Sequence, residues 1–196
     1  MTERSSETKD CPKVWGCVLI GGTSSRMGQP KHLITQNGTT WLEAIVTTLK
    51  KKCDRVVISG KGEVPANLAE FDVVRDDPGL YGPLAGILSV MRWQPAVSWV
   101  VAGCDQPEIE VEAIDWLLAE RTRTVWAILP ELHGDGKIEP LLAYYDCRCK
   151  EYLEEIAAKK IYRISAMKGR YGIITPSPPS HLHRSWRNIN RPEELD

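Results

Sequence analysis

A pair of glycines followed by two cations opens the chemistry of this chain: Gly21-Gly22-Thr23-Ser24-Ser25-Arg26-Met27-Gly28-Gln29-Pro30-Lys31. Glycines let backbone N–H groups approach an anion closely. Arg26 and Lys31 add the positive charge that a polyphosphate needs. Carboxylates stand where two later apolar stretches end, at Asp76-Asp77 and at Asp105 in Cys104-Asp105-Gln106-Pro107. Carboxylates beside a polyphosphate suit Mg²⁺, a hard cation that shares its oxygen ligands with substrate phosphates. Cations at one strand end and carboxylates at two others point to nucleotide chemistry.

Two common phosphate motifs fail. A P-loop needs a lysine directly after its second glycine, but Gln29 follows Gly28, and Gly22 is six positions from Gly28. The dinucleotide fingerprint also fails, because Gly21 and Gly22 are adjacent and Ser24 follows. Each site residue has an ordinary alternative. Asp105 can cap a turn, Asp76-Asp77-Pro78-Gly79 is a normal turn sequence, and a lone Arg26 or Lys31 is most often a solvated charge. The position of Asp105 directly after an apolar strand favours the ligand role.

The elements that must hold these residues follow from periodicity. Val14–Ile20 is rich in β-formers and stops at the glycine pair, which predicts a buried first strand. Thr40 caps a predicted helix with Trp41, Ile45 and Leu49 on one face and lysines at its exit. Strands are expected over 55–59, 71–75, 98–102 and 125–129, with a further segment over 141–145 and a strand-like end over 186–189. Helices are expected from Gly82-Pro83 through Met91, near 111–120 and near 150–159. This alternation predicts an α/β fold, a three-layer, doubly wound, mostly parallel Rossmann-like sheet, with ligands beyond the carboxyl ends of its strands. Residues 13–196 read as a single domain. Residues 1–12 and the Pro/Ser stretch 175–180 read as disordered or linker.

Composition narrows the function. Apolar residues make up 42% of 196, enough for a real core. A net charge of −1, from 25 basic and 26 acidic residues, gives no case for binding nucleic acid or an anionic membrane. No apolar run reaches the ~18 residues of a membrane span, and the polar start lacks a secretion signal, so a cytoplasmic protein with reduced thiols is expected. The cysteines contain no Cys-x-x-Cys pair; Cys147-x-Cys149 with His181-x-His183 is the one possible chelating set, and incidental pairing is the better reading. The tryptophans of the apolar segments, including Trp93, are expected in or beside the core. Trp186 is expected to pack rather than to stack on a ligand.

Five motifs in order carry a resemblance. They are Leu19-Ile20-Gly21-Gly22-x-Ser24-x-Arg26-Met27-Gly28-x-x-Lys31, Gly82-Pro83-Leu84-Ala85-Gly86-Ile87, Cys104-Asp105-x-Pro107, Glu139-Pro140-Leu141 and Asn188-x-Asn190-x-Pro192-Glu193-Glu194-Leu195. The chain resembles the molybdenum cofactor guanylyltransferases of the nucleotidyltransferase superfamily, from about Val14 to its last residue. The resemblance implies transfer of GMP from GTP to the terminal phosphate of molybdopterin, releasing pyrophosphate, with Mg²⁺ as cofactor. It implies that Leu19, Ile20, Gly21 and Gly22 meet the guanine nucleotide and that Asp76 helps bind it. Arg26 and Lys31 would grip the triphosphate, Asp105 would hold the metal, and Asn188 and Asn190 would line the molybdopterin side. Transient contact with molybdenum-inserting proteins or molybdoenzymes would follow. Pro30-Lys31 also occurs in related cytidylyltransferases, so a cytidylyl or sugar-1-phosphate nucleotidyltransferase is the alternative. A non-catalytic nucleotide-binding regulator is the alternative from another class.

Overall fold

The structure, a computed structural model, describes residues 13–21, 28–190 and 194. The expected disorder of residues 1–12 therefore lies outside the described residues. A seven-stranded sheet forms the centre. Strand β1 spans Val14–Ile20 and pairs in parallel with β4 (Arg55–Gly60) on one side and β6 (Ser98–Gly103) on the other. The edge strand β5 (Val73–Val74) adds in parallel to β4. Beyond β6 the sheet turns antiparallel through β8 (Ala143–Tyr145) to β7 (Ala127–Ile128), and β9 (Ile173–Ile174) closes that edge parallel to β7.

Alternation along the strands sorts the core into two faces. Val18 and Ile20 of β1 pack with Leu42, Ile45 and Leu49 of α1 (Trp41–Lys50) and with Ile114 and Leu117 of α3 (Val111–Ala119). Cys17 of β1, next to Val18 in sequence, packs on the opposite face with Leu84 and Leu88 of α2 (Pro83–Trp93) and Leu153 and Ile156 of α4 (Lys150–Ala158). Helices thus cover both faces of a mostly parallel sheet, the three-layer arrangement that the alternation predicts. Helix α1 starts where expected: Thr40 accepts from the Glu43 N–H and Glu43 returns to the Thr40 N–H at 2.6 Å, a complete capping box.

Several expectations need correction. The strand expected over 71–75 is only Val73–Val74, and the one over 125–129 is only Ala127–Ile128. The stretch 186–189 is not a strand. Trp186 ends the 3-10 segment Ser180–Trp186, and Ile189 makes one backbone bond, its N–H to the Asp105 carbonyl at 2.8 Å, in place of a ladder. The Pro/Ser stretch over 175–180 is ordered against the sheet edge, where the Pro176 carbonyl accepts from the Glu131 N–H at 3.1 Å. Trp93 is 46% exposed at the end of α2. A short hairpin, β2 (Thr35–Gln36) and β3 (Thr39–Thr40), was not expected, although Asn37-Gly38 marks it. Both turn residues have positive φ, as a two-residue hairpin with a primed turn requires. Among the described residues, no helix is long and apolar enough to cross a membrane.

Candidate active site

The chain leaves β1 toward α1 and β4 on one side, and leaves α2 toward β6 on the other. That reversal of direction lies between β1 and β6, where a doubly wound sheet opens a crevice at its carboxyl edge. A cavity of about 420 Å³ occupies it, lined by Leu19, Ile20, Gly21, Lys31, Ser59, Asp76, Leu80, Tyr81, Gly82, Pro83, Ala85, Gly86, Gly103, Cys104, Asp105 and Leu141. Leu19, Ile20, Gly21, Lys31, Asp76 and Asp105 were all singled out from the sequence. Gly22 and Arg26 lie outside the described residues.

The floor is built for close approach. Gly86 of α2 has no room for a side chain: a Cβ there would stand 2.6 Å from a Leu19 methyl and 3.4 Å from Asp76 Oδ1. Gly82, at φ 62°, turns the chain into α2, and the first residues of that helix face the cavity. The positive end of the helix dipole favours an anion there.

Asp76 sits at the end of β5. The Ser59 hydroxyl donates to its Oδ1 at 3.3 Å, while the neighbouring Asp77 N–H donates to Ser89 at 2.9 Å. Arg92 donates to Asp77 at 2.5 Å and to Glu154, which ties this loop to α2 and α4. Burial raises the Asp76 carboxyl above the ordinary range, against the lowering effect of Ser59 and Lys61.

Asp105 follows β6 on a turn closed by Gln106. The Gln106 N–H donates to the Gly103 carbonyl at 3.2 Å, and its side-chain oxygen accepts from the Gly103 N–H at 2.9 Å. Lys31 Nζ lies 3.3 Å from Asp105 Oδ2 and donates to Asn190 Oδ1 at 2.6 Å. Asn190 thus joins the site through Lys31. Asn188 is exposed and does not line the cavity; its carbonyl accepts from the Asn190 amide at 3.4 Å. Cys104 lines the cavity, but burial and the Asp105 charge push its thiol up to about 12, so it is no nucleophile at neutral pH.

Among the described residues, no group of three or more His, Cys, Asp or Glu clusters to cage a metal. Cys149 belongs to the α2–α4 face of the core, whereas Leu182, between His181 and His183, belongs to the other, so that chelating set does not form. A magnesium ion needs no such cage, since it takes one or two carboxylates and completes its shell with water and substrate oxygens. Asp105, 26% exposed at the cavity wall, fits that partial role. Leu80 and Tyr81 were not foreseen from the sequence. The glycines flanking them, Gly79 and Gly82, are the available signal of the loop that brings them to the cavity.

A doubly wound sheet with a cation, two acidic strand ends and a helix N-terminus around one crevice defines a nucleotide-binding α/β protein. Residues 16–171 match the family described as the MobA-like NTP transferase domain, and the chain belongs to that family of nucleotidyltransferases. A relative from Bacillus cereus named a probable molybdenum cofactor guanylyltransferase is 34% identical over 141 residues, 69% of this chain and 70% of the relative. The crystal structure of molybdopterin-guanine dinucleotide biosynthesis protein A from Archaeoglobus fulgidus is similar, with a TM-score of 0.73 and 25% identity over 92% of this chain and 94% of that one. A protein of Aquifex aeolicus shares the fold at a TM-score of 0.72 and 23% identity, covering 89% of this chain and 92% of its own.

Proposed function

We propose that this nucleotidyltransferase moves GMP from GTP to the terminal phosphate of molybdopterin, forming molybdopterin guanine dinucleotide and pyrophosphate. The observation that carries the reading is the meeting of Lys31, Asp105 and Asn190, from three distant stretches, beside the crevice cavity. The names of the similar proteins support the choice of substrates.

The cavity takes the nucleotide, with Leu19, Ile20, Gly21 and Gly22 against it and Asp76 at its α2 side. Asn188 and Asn190 face the acceptor. A phosphate monoester, with a second pKa of about 6, is already an anionic nucleophile at neutral pH, so no strong base is needed. A bond forms from the acceptor oxygen to the α-phosphorus, and the bond to the pyrophosphate oxygen breaks. Catalysis is then alignment and charge neutralisation. Lys31, fixed between Asp105 and Asn190, and Arg26 place positive charge where pyrophosphate departs. Asp105 is the residue that would hold Mg²⁺, and the ion would supply neutralisation of the phosphate charge. The reaction belongs in the cytoplasm, and handing on its product entails transient contact with molybdoenzymes or molybdenum-inserting proteins.

Thermal shifts with GTP, CTP, ATP and UTP in Mg²⁺, followed by pyrophosphate release with molybdopterin, test this. GTP should raise the melting temperature most, since a ligand that binds only the folded state stabilises it by mass action. An equal or larger shift with CTP would move the protein to the cytidylyl reading. Binding with no pyrophosphate release would make it a non-catalytic regulator.

A further inference from the structure

Three tryptophans are almost wholly buried, and they differ in one respect. Among the described residues, the indole N–H groups of Trp41 and Trp99 have no hydrogen-bond partner, whereas that of Trp186 donates to the Leu142 carbonyl at 3.0 Å. Leu142 is itself unusual. It is fully buried, it is not glycine, and its φ is +49°. A leucine in the left-handed region carries backbone strain that the surroundings must hold in place.

That strained residue has a spatial consequence. It stands between Ala143, the first residue of β8, and Leu141, which forms the cavity wall against Gly103, where a Cβ would stand 2.9 Å from a Leu141 methyl. Reversing the backbone at Leu142 turns Leu141 into the cavity instead of along the strand. On its other side, Trp186 is where the 3-10 segment ends and the chain runs on to Ile189 and Asn190. Ile189 bonds the Asp105 carbonyl and packs with Ile34 and Trp41, and Asn190 reaches Lys31. Trp186 thus links the Leu142 turn to the segment that carries Ile189 and Asn190.

We infer that Trp186 is a positioning residue for the transfer step: its N–H holds Leu142 in the left-handed region, which sets Leu141 and the Asn190 segment on either side of Asp105. The inference rests on the proposed reaction for its kinetic consequence, but not for its geometry. An unpartnered backbone at Leu142 relaxes toward an extended conformation, and a shift of the order of 1 Å in the groups around a reacting phosphorus costs turnover.

The test compares Trp186→Phe with Trp99→Phe. Both lose the same ring atoms from the core, but only Trp186→Phe loses a hydrogen bond, so Trp99→Phe controls for packing. Two readouts are taken. The first is the Leu142 ¹³Cα and ¹³Cβ chemical shifts, which report its backbone region without any substrate. Trp186→Phe should move them from left-handed toward extended values, and Trp99→Phe should leave them unchanged. The second is kinetic. In Trp186→Phe, kcat/KM for molybdopterin should fall by about tenfold or more while the GTP-induced thermal shift is kept; Trp99→Phe should stay within twofold of wild type. Unchanged Leu142 shifts in folded Trp186→Phe overturn the inference. So does a loss of activity that Trp99→Phe shares, or one that tracks GTP binding. A wild-type protein that makes no dinucleotide refutes the proposed reaction instead, and the chemical shifts still decide the role of Trp186.

Discussion

Lys31 Nζ stands 3.3 Å from Asp105 Oδ2, across a separation of 74 residues. The pair is half-buried at the edge of the cavity, and Asn190 takes a second Lys31 hydrogen at 2.6 Å. Neither side chain has its full solvent shell, and each orients the other. The pair gives one carboxylate and one cation fixed directions at the place where β1 and β6 diverge.

Asp105→Asn separates a metal ligand from a turn former. Asn keeps the shape and still accepts from Lys31, so the thermal midpoint should hardly move. Losing the charge should lower turnover on the order of 10²–10³-fold and raise the Mg²⁺ concentration needed. Wild-type rates across a Mg²⁺ titration would transfer the metal role to Asp76 or Asp77.

Lys31→Ala removes a charge-assisted contact from ground and transition states alike. Such contacts contribute roughly 1.5–3 kcal/mol, about 10- to 100-fold, so GTP affinity and turnover should both drop by that order. Fold stability should change little, because a partly exposed ion pair contributes little. Isothermal titration with GTP checks it, and unchanged affinity would show that the cation does not face the phosphates.

Asp76→Asn should trade function for stability. The folded protein holds the Asp76 proton more tightly than the unfolded chain, because burial raises its carboxyl. Ionised Asp76 therefore costs stability above its folded pKa, and the cost disappears as pH falls through the carboxylate range. The Asn variant should melt higher than wild type near pH 8, with the gap closing toward pH 4, and it should bind GTP more weakly. A gap that ignores pH, or a lower midpoint at pH 8, would contradict the assigned burial.

Two glycines should respond oppositely to alanine. At Gly60, φ is 127° and a Cβ would stand 1.9 Å from the Ile20 carbonyl oxygen, backbone that cannot move without opening the β1–β4 pair. Gly60→Ala should cost several kcal/mol and leave little soluble protein. At Gly103, the Cβ would meet only side-chain ends, Asp105 Oδ1 at 2.6 Å and a Leu141 methyl at 2.9 Å. Gly103→Ala should therefore fold, with a circular dichroism spectrum like wild type, but lose transfer activity by about tenfold or more as Asp105 swings away. A fully active Gly103→Ala would show that the orientation of Asp105 is unimportant.

The sequence by itself determined the three central strands, because β1, β4 and β6 are apolar-rich stretches of 7, 6 and 6 residues that end at or just before a glycine. It also determined α1, through the Thr40–Glu43 capping box, and α2, through Gly82-Pro83, since these signals act within a few residues. The same locality placed Leu19, Ile20, Gly21, Asp76 and Asp105 at strand ends, and a doubly wound sheet gathers its strand ends at one edge. Only the tertiary structure decided the rest. Strands β5, β7 and β9 are two residues each, too short for any periodicity, and exist because a neighbouring strand offers its edge. The stretch 186–189 has strand-like composition but spends its backbone on Asp105 and its indole on Leu142, contacts more than 40 positions away that no local pattern encodes. Asn190 meets Lys31 for the same reason, while Asn188, two residues earlier in the same motif, stays in solvent. Local chemistry chose which residues stood ready, and long-range packing chose which of them met.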